Sequence, residues 1–349
     1  MMKHFLHRYS GNTQFEADYN GANYEEPWVS VTDGDASGRV NYNKTEKERL
    51  LGTPLTFKIT SGGDIKWKAK DINWIMKIQY SKNNGDWTPI RSTTGGTSIS
   101  VAANDVVKFK STSFPIANSF SGTTAGFELE GNVMSLGGGE SFASLTITST
   151  SAFTGLFQSC TGLTDASKLL LPATTLATYC YQSMFQRCTS LTTAPELPAT
   201  TLASNCYSAM FQGCTSLTTA PALPATTLAS DCYSSMFNGC TSLTTAPELP
   251  ATTLATWCYS GMFSGCTSLT TAPELPATTL VSSCYKEMFY GCSKLNYIKA
   301  MFTTTPGTDY TKSWVLGVAA SGTFVKNSAA TWNVTGFNGA PTGWAVETA

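Results

Sequence analysis

The hexapeptide Leu171-Pro172-Ala173-Thr174-Thr175-Leu176 returns at Leu197, Leu223, Leu249 and Leu275, a constant step of 26 residues. Five consecutive units read nearly LPATTLxxxCYxxMFxGCTSLTTAPE. A degenerate unit with Leu156, Phe157, Cys160 and Leu163 precedes them. A repeat of this length cannot bury its own apolar face, so the units must stack and share one continuous core. That requirement excludes an ordinary mixed domain for residues 145–300 and predicts a solenoid.

Within a unit, Cys180, Tyr181, Met184, Phe185 and Cys188 stand at offsets 0, 1, 4, 5 and 8. This spacing fits one face of a short helix. Leu191 to Leu197, with Thr192, Thr193 and Pro195, reads as a short extended stretch, because proline supplies no ladder donor. Short parallel strands about 4.8 Å apart on one side and short helices on the other follow as the expected layers.

Comparison of the units separates fixed from variable positions. The varying sets are Tyr179/Asn205/Asp231/Trp257/Ser283, Gln182/Ser208/Ser234/Ser260/Lys286, Ser183/Ala209/Ser235/Gly261/Glu287 and Gln186/Gln212/Asn238/Ser264/Tyr290. On a helix they occupy the face opposite the fixed residues, which makes the fixed residues core and the varying ones exposed. Charged residues are only 13% of the 349-residue chain, about half the roughly 25% of ordinary globular proteins; serine and threonine cover the repeat instead. With 22 Lys and Arg against 23 Asp and Glu, no basic excess points to nucleic acid or an anionic membrane.

Eleven cysteines form two columns, at 180, 206, 232, 258 and 284 and at 188, 214, 240, 266 and 292, with Cys160 extending the second. Translation-related side chains point the same way, which disfavours column disulfides, and eight helical residues span about 12 Å, too far for a bridge within a unit. Buried free thiols are expected. The C-x7-C spacing, with no histidine after His7, suits neither a structural zinc site nor a Cys–His nucleophile. No metal and no cofactor are expected. Glu248 and Glu274 occupy equivalent positions of adjacent units and are the one carboxylate pair that could serve a glycosidase; a solvent-facing rim is the plainer account.

The motif CYxxMFxGCTSLTTAPELPATTL resembles the BspA-type leucine-rich repeats of gut Bacteroides surface proteins and of phages that infect them. The terminal segments Glu26-Pro27-Trp28-Val29-Ser30, Val40-Asn41-Tyr42-Asn43-Lys44 and Gly322-Thr323-Phe324-Val325-Lys326-Asn327 resemble the same group. The resemblance implies a right-handed leucine-rich solenoid used for adhesion or recognition, and no reaction. Exported adhesins need a signal, whereas Met1–Arg8 lacks an apolar stretch of about 7–15 residues and no segment nears 18 apolar residues. A phage fibre or appendage protein is assembled in the host cytoplasm and needs none, so a virion location is expected over a bacterial cell surface; related fibres are commonly homotrimers. The alternatives are an exported BspA-type adhesin and a glycan-depolymerising spike.

The expected organisation is therefore multidomain. Residues 1–50 form an attachment arm that contacts other virion proteins through Phe15, Tyr19, Tyr24, Trp28 and Tyr42. Residues 51–115 alternate apolar and polar positions and form an antiparallel β-sandwich; Lys66, Lys68 and Lys70 line one of its strand faces. Residues 116–144, with a joint at Gly137-Gly138-Gly139, connect it to the solenoid of residues 145–300, and the aromatic segment 301–349 caps the last layer. Host binding, to a cell-surface glycan or protein, is assigned to the variable column: Tyr179, Gln182, Gln186, Asn205, Gln212, Asp231, Asn238, Trp257 and Tyr290. The competing face is the threonine ladder Thr193, Thr219, Thr245 and Thr271, since curved solenoids often bind on the concave side. Nucleic acid binding and membrane insertion are not expected.

Overall fold

The computed structural model describes residues 3–8, 14–18, 42–137 and 145–349. The chain divides into two compact units, Met1–Arg49 and Leu50–Ala349. The described fold is β-rich, with four sheets and one α-helix, and no sheet closes into a barrel.

In the first unit, β1 (Lys3–Arg8) pairs antiparallel with β2 (Gln14–Asp18), placing His7 opposite Phe15. An α-helix, α1 (Tyr42–Leu51), spans the boundary at Arg49/Leu50. The expected arm without periodicity thus contains paired strands and a helix. Of its candidate attachment residues, Phe15 lies in β2 and Tyr42 opens α1; Tyr19, Tyr24 and Trp28 lie outside the described residues.

Where an antiparallel sandwich is expected, the second unit begins with two sheets. One sheet has the order β11-β10-β3-β8-β5-β6, from β11 (Leu163–Leu170), β10 (Gly126–Asn132), β3 (Leu55–Ser61), β8 (Val106–Lys110), β5 (Lys77–Lys82) and β6 (Thr88–Arg91). The other is β7-β4-β9, from β7 (Thr97–Val101), β4 (Gly63–Ala69) and β9 (Asn118–Ser119). The two-residue alternation explains the burial: Ile65, Trp67 and Ala69 of β4 are fully buried while Lys66 and Lys68 point outward. Phe57 gathers Phe109, Phe120 and Phe127 at ring-centroid distances of 5.2, 4.8 and 4.6 Å.

The described part of the expected connector, residues 116–137, is built into the sheets. β9 and β10 belong to the sandwich, and β10 pairs antiparallel with β3 and parallel with β11, the first strand of the repeat region. Gly131 permits this seam. Its φ is +82°, and a Cβ there would stand 2.2 Å from the Pro54 carbonyl oxygen. Of the glycine joint, Gly137 ends a 3-10 turn (Val133–Leu136), and Gly138 and Gly139 lie outside the described residues. Phe120 stacks on Phe157 of the degenerate first repeat at 5.7 Å, so within the second unit one core runs from these sheets into the repeats.

The repeated units stack in register, but the expected short helices are absent. Residues 179–187 and their equivalents form a ribbon of consecutive turns, with positive φ at every fourth residue: Tyr179, Ser183, Arg187, then Asn205, Ala209, Gly213, and so on through Gly291. Alternate N–H groups bond locally, as Met184 to Tyr181 O (3.2 Å) and Cys188 to Phe185 O (3.0 Å). The others reach the following unit, as Tyr181 to Cys206 O (3.0 Å) and Phe185 to Met210 O (2.9 Å). Spacing forbids the helix. Equivalent rings stack 5.4–5.9 Å apart, whereas packed helices need about 8–10 Å between axes.

On the opposite side the expected strands shrink to isolated bridges, Asp165 with Thr193, Thr219 with Thr245, and Thr271 with Tyr297. Prolines at 195, 198, 221, 224, 247 and 250 remove donors around each bridge. Both sides of the stack are hydrogen-bonded unit to unit, for example Ala220 N–H to Thr245 O at 3.2 Å. Neither side is therefore splayed as a helix-backed horseshoe would be.

The C-terminal segment extends the stack before closing it. Tyr285, Glu287 and Phe289 donate to Tyr310, Lys312 and Trp314, so a further ribbon layer lies beyond residue 300. Strands β12 (Tyr297–Ala300), β13 (Thr323–Lys326) and β14 (Ala345–Thr348) form a parallel sheet. Indole N–H groups then fasten the end: Trp314 to Gly339 O (2.9 Å), Trp332 to Phe302 O (3.2 Å) and Trp344 to Ala319 O (2.8 Å). Of the aromatics expected to cap the stack, Trp314, Phe324, Trp332 and Trp344 are buried and Phe337 is exposed.

Candidate functional site

Two aromatic columns and two thiol columns fill the ribbon side of the core. Phe157, Phe185, Phe211, Phe237, Phe263 and Phe289 stack at 5.4–5.8 Å with interplanar angles of 15° or less. Tyr181, Tyr207, Tyr233, Tyr259 and Tyr285 stack beside them. All eleven cysteines are free and buried. The second column has a specific bond: each thiol donates to a phenylalanine carbonyl of the preceding unit, as Cys214 to Phe185 O and Cys240 to Phe211 O, both at 3.1 Å. Burial pushes the thiols up, Cys206, Cys240, Cys258 and Cys292 to about 12 and Cys284 to about 11. These groups are protonated packing elements at neutral pH, unsuited to nucleophilic work.

The variable positions do form one longitudinal surface on this side of the stack. Tyr179 and Tyr290 are exposed, 38% and 46%, while Gln182, Gln186, Asn205, Gln212, Asp231, Asn238 and Trp257 are half-buried. The expectation that they face solvent on a helix is corrected to a half-buried ribbon edge. Desolvation raises the Asp231 carboxyl above the usual carboxylate range.

This surface contains two different arrangements. Gln158 donates its side-chain amide to Gln186, and Gln186 donates to Gln212; Gln212 continues to Asn238 at 3.5 Å. Gln186, Gln212 and Asn238 therefore form a structural amide ladder of the kind seen in stacked sheets. The other column, Tyr179–Asn205–Asp231–Trp257–Ser283, sits on residues of positive φ throughout. Asn and Asp tolerate that conformation, but a bulky aromatic is strained there.

Lys286 was not singled out by sequence: its ammonium lies 4.8 Å from the Trp257 ring centroid and 3.8 Å from Glu287. Its place in the variable set was the available signal. Gln158, the head of the amide ladder, was hidden by the 28-residue offset of the degenerate unit.

The competing threonine face is also real surface. Thr193, Thr219, Thr245 and Thr271 are exposed, and the adjoining Thr192 and Thr244 donate to Thr164 O and Thr218 O at 2.9 and 3.2 Å. The carboxylate pair is not equivalent in structure: Glu274 is held by Lys299 at 3.0 Å, while Glu248 borders a shallow hollow with Pro224, Pro247 and Pro250. Among the described residues no cluster of His, Cys, Asp and Glu could hold a metal, and no helix is long and apolar enough to cross a membrane. Comparison with known protein families, curated proteins and solved structures finds no match.

Proposed function

We propose that this chain is a non-enzymatic recognition protein, a fibre or appendage of a phage particle that infects a Bacteroides-like host. In this proposal residues 145–300 are a right-handed leucine-rich-repeat solenoid of BspA type, the N-terminal region attaches to other virion proteins, and the solenoid surface binds a host glycan or protein. The repeat motif's resemblance supports the class.

The observation that carries the binding face is the contrast between columns. Core residues are copied almost unchanged, whereas one outward column changes from unit to unit and places Tyr179 and Trp257 at backbone positions that favour Gly or Asn. Strain tolerated at a surface position points from structure to use. Flat apolar rings beside amide and acid groups suit sugar or protein surfaces. The amide ladder half of the surface is assigned to stability, which narrows the proposed contact residues to Tyr179, Asn205, Asp231, Trp257 and Tyr290.

Attachment of the purified chain to host cells tests the face. The double variant Trp257→Ala, Tyr290→Ala should bind at least tenfold more weakly at an unchanged thermal midpoint; undiminished attachment would move recognition off these residues. The virion assignment is tested separately, by antibody or mass-spectrometric detection of the chain in purified particles whose genome carries its coding sequence. Absence from such particles overturns it.

A further inference from the structure

The sandwich carries a surface that the proposed recognition column does not use. The region 50–137 holds nine Lys and Arg against six Asp and Glu, in a chain whose overall charge is −1. Lys58 and Lys82 are neutralised by Glu130 (2.7 Å) and Asp105 (2.8 Å). Four other cations, Lys68, Lys70, Lys77 and Arg91, have no acidic partner among the described residues and gather where β4 and the end of β6 run together. The register shows this: Lys68 bridges Thr93, two residues from Arg91, and Arg91 stands directly opposite Lys77 across β5–β6. Like charges placed directly opposite on antiparallel strands are destabilising, and both are exposed.

The turn that follows Lys70 carries the apolar part. Ile72 and Trp74 are 75% and 43% exposed, the only large hydrophobics so exposed in the described sandwich. The turn is fixed rather than loose, because the Asp71 carboxylate accepts from the Asn73 N–H at 2.9 Å and the Trp74 N–H bonds Asp71 O at 3.2 Å. Beneath it, the buried Trp67 donates its indole N–H to Met76 O at 3.3 Å.

We infer that this corner of the sandwich is a binding site for an acidic polysaccharide, with Lys68, Lys70, Lys77 and Arg91 pairing its anionic groups and Trp74, flanked by Ile72, lying against a sugar ring. Charge complementarity selects a polyanion, and a flat aromatic beside an aliphatic side chain selects a ligand with apolar faces. A single exposed aromatic and a chain without basic excess argue for a glycan over single-stranded nucleic acid, whose binders combine a basic groove with successive stacking rings. The site stands independently of the solenoid column.

Affinity electrophoresis of the full chain through gels containing polygalacturonate, neutral dextran or oligo(dT) tests the proposal. Polygalacturonate should retard the protein, increasingly at lower salt, and dextran should not. The triple variant Lys68→Gln, Lys70→Gln, Arg91→Gln should weaken retardation at least tenfold, and Trp74→Ala at least threefold, with near-ultraviolet dichroism and thermal midpoint preserved, since all four residues lie at the surface. Because Lys77 remains, Lys77→Glu in the wild-type background provides a second, charge-reversing check and should also weaken retardation. Absence of retardation by polygalacturonate, retardation that these variants leave intact, or stronger retardation by oligo(dT) overturns it.

Discussion

The buried thiol columns make the protein's stability unusually sensitive to alkali. A thiol with an ordinary value near 9 loses its proton in the unfolded chain as pH rises past 9. In the folded chain Cys284 holds its proton to about 11 and Cys206, Cys240, Cys258 and Cys292 to about 12. The other six are raised still further by burial. Above pH 9 the unfolded state therefore binds fewer protons than the folded state, so stability falls as pH rises, through a window from 9 to 12. Each thiol contributes on the order of 1 kcal/mol of loss by pH 10. Over all eleven the loss is on the order of 10 kcal/mol, comparable to the whole stability of an ordinary domain. The stacked tyrosines, also raised by burial, add to it above pH 10.

The fold should consequently be intact at pH 8 and unfold cooperatively between pH 9 and about 10.5. Near-ultraviolet dichroism in the presence of a reductant measures the transition. Denaturant titrations at closely spaced pH give the proton count from the slope of stability against pH, which should approach ten near pH 10. The triple variant Cys206→Ala, Cys232→Ala, Cys258→Ala should lower that count by about three. Retention of structure to pH 11, or a slope that the triple variant leaves unchanged, would refute the burial of these columns as protonated thiols.

Three further outcomes follow from the packing. Phe237 is fully buried between Phe211 and Phe263, each 5.7 Å away, so Phe237→Ala should cost about 3–5 kcal/mol in denaturant unfolding; a loss under 1 kcal/mol would mean that the column does not hold the units together. Gly131→Ala drives a methyl group into the Pro54 carbonyl and should shift the thermal midpoint sharply downward or abolish soluble expression, whereas Gly307→Ala, where a Cβ meets nothing within 4 Å, should leave it nearly unchanged. Thiol reagent should label close to eleven sites in the denatured protein without prior reduction, and few or none in the native protein within the same time, because all eleven are buried.

What the sequence made legible was the part fixed by repetition. Stacking at a constant step, the core identity of Cys180, Tyr181, Met184, Phe185 and Cys188, and the free state of the cysteines all follow from the need of each unit to bury its face against the next. The alternation of β4 likewise announced a strand with one buried face. The β10–β11 seam was not legible, since a parallel pair joining two regions depends on contacts distant in sequence. The variable column was found, but its split into an amide ladder and a strained aromatic edge depends on side-chain bonds that no spacing encodes.

The helix was misread for a more instructive reason. Offsets 0, 1, 4, 5 and 8 satisfy both a 3.6-residue helix and a ribbon of turns with period four, so core positions alone cannot choose between them. The outward positions could have: Asn205, Asp231 and Gly261, and the glycines at 213, 239, 265 and 291, fall four apart on slots that prove to need positive φ. Ala209 occupies such a slot, with φ 54°, where Gly261 stands two units later. In a helix, Ala209→Gly would cost about 1 kcal/mol. In the ribbon it relieves about 1–2 kcal/mol of left-handed strain against about 0.5–1 kcal/mol of added chain entropy, a net gain near 0.5 kcal/mol. The two conformations thus predict opposite signs, and a clear loss of stability on denaturant unfolding of Ala209→Gly would count decisively for the helix.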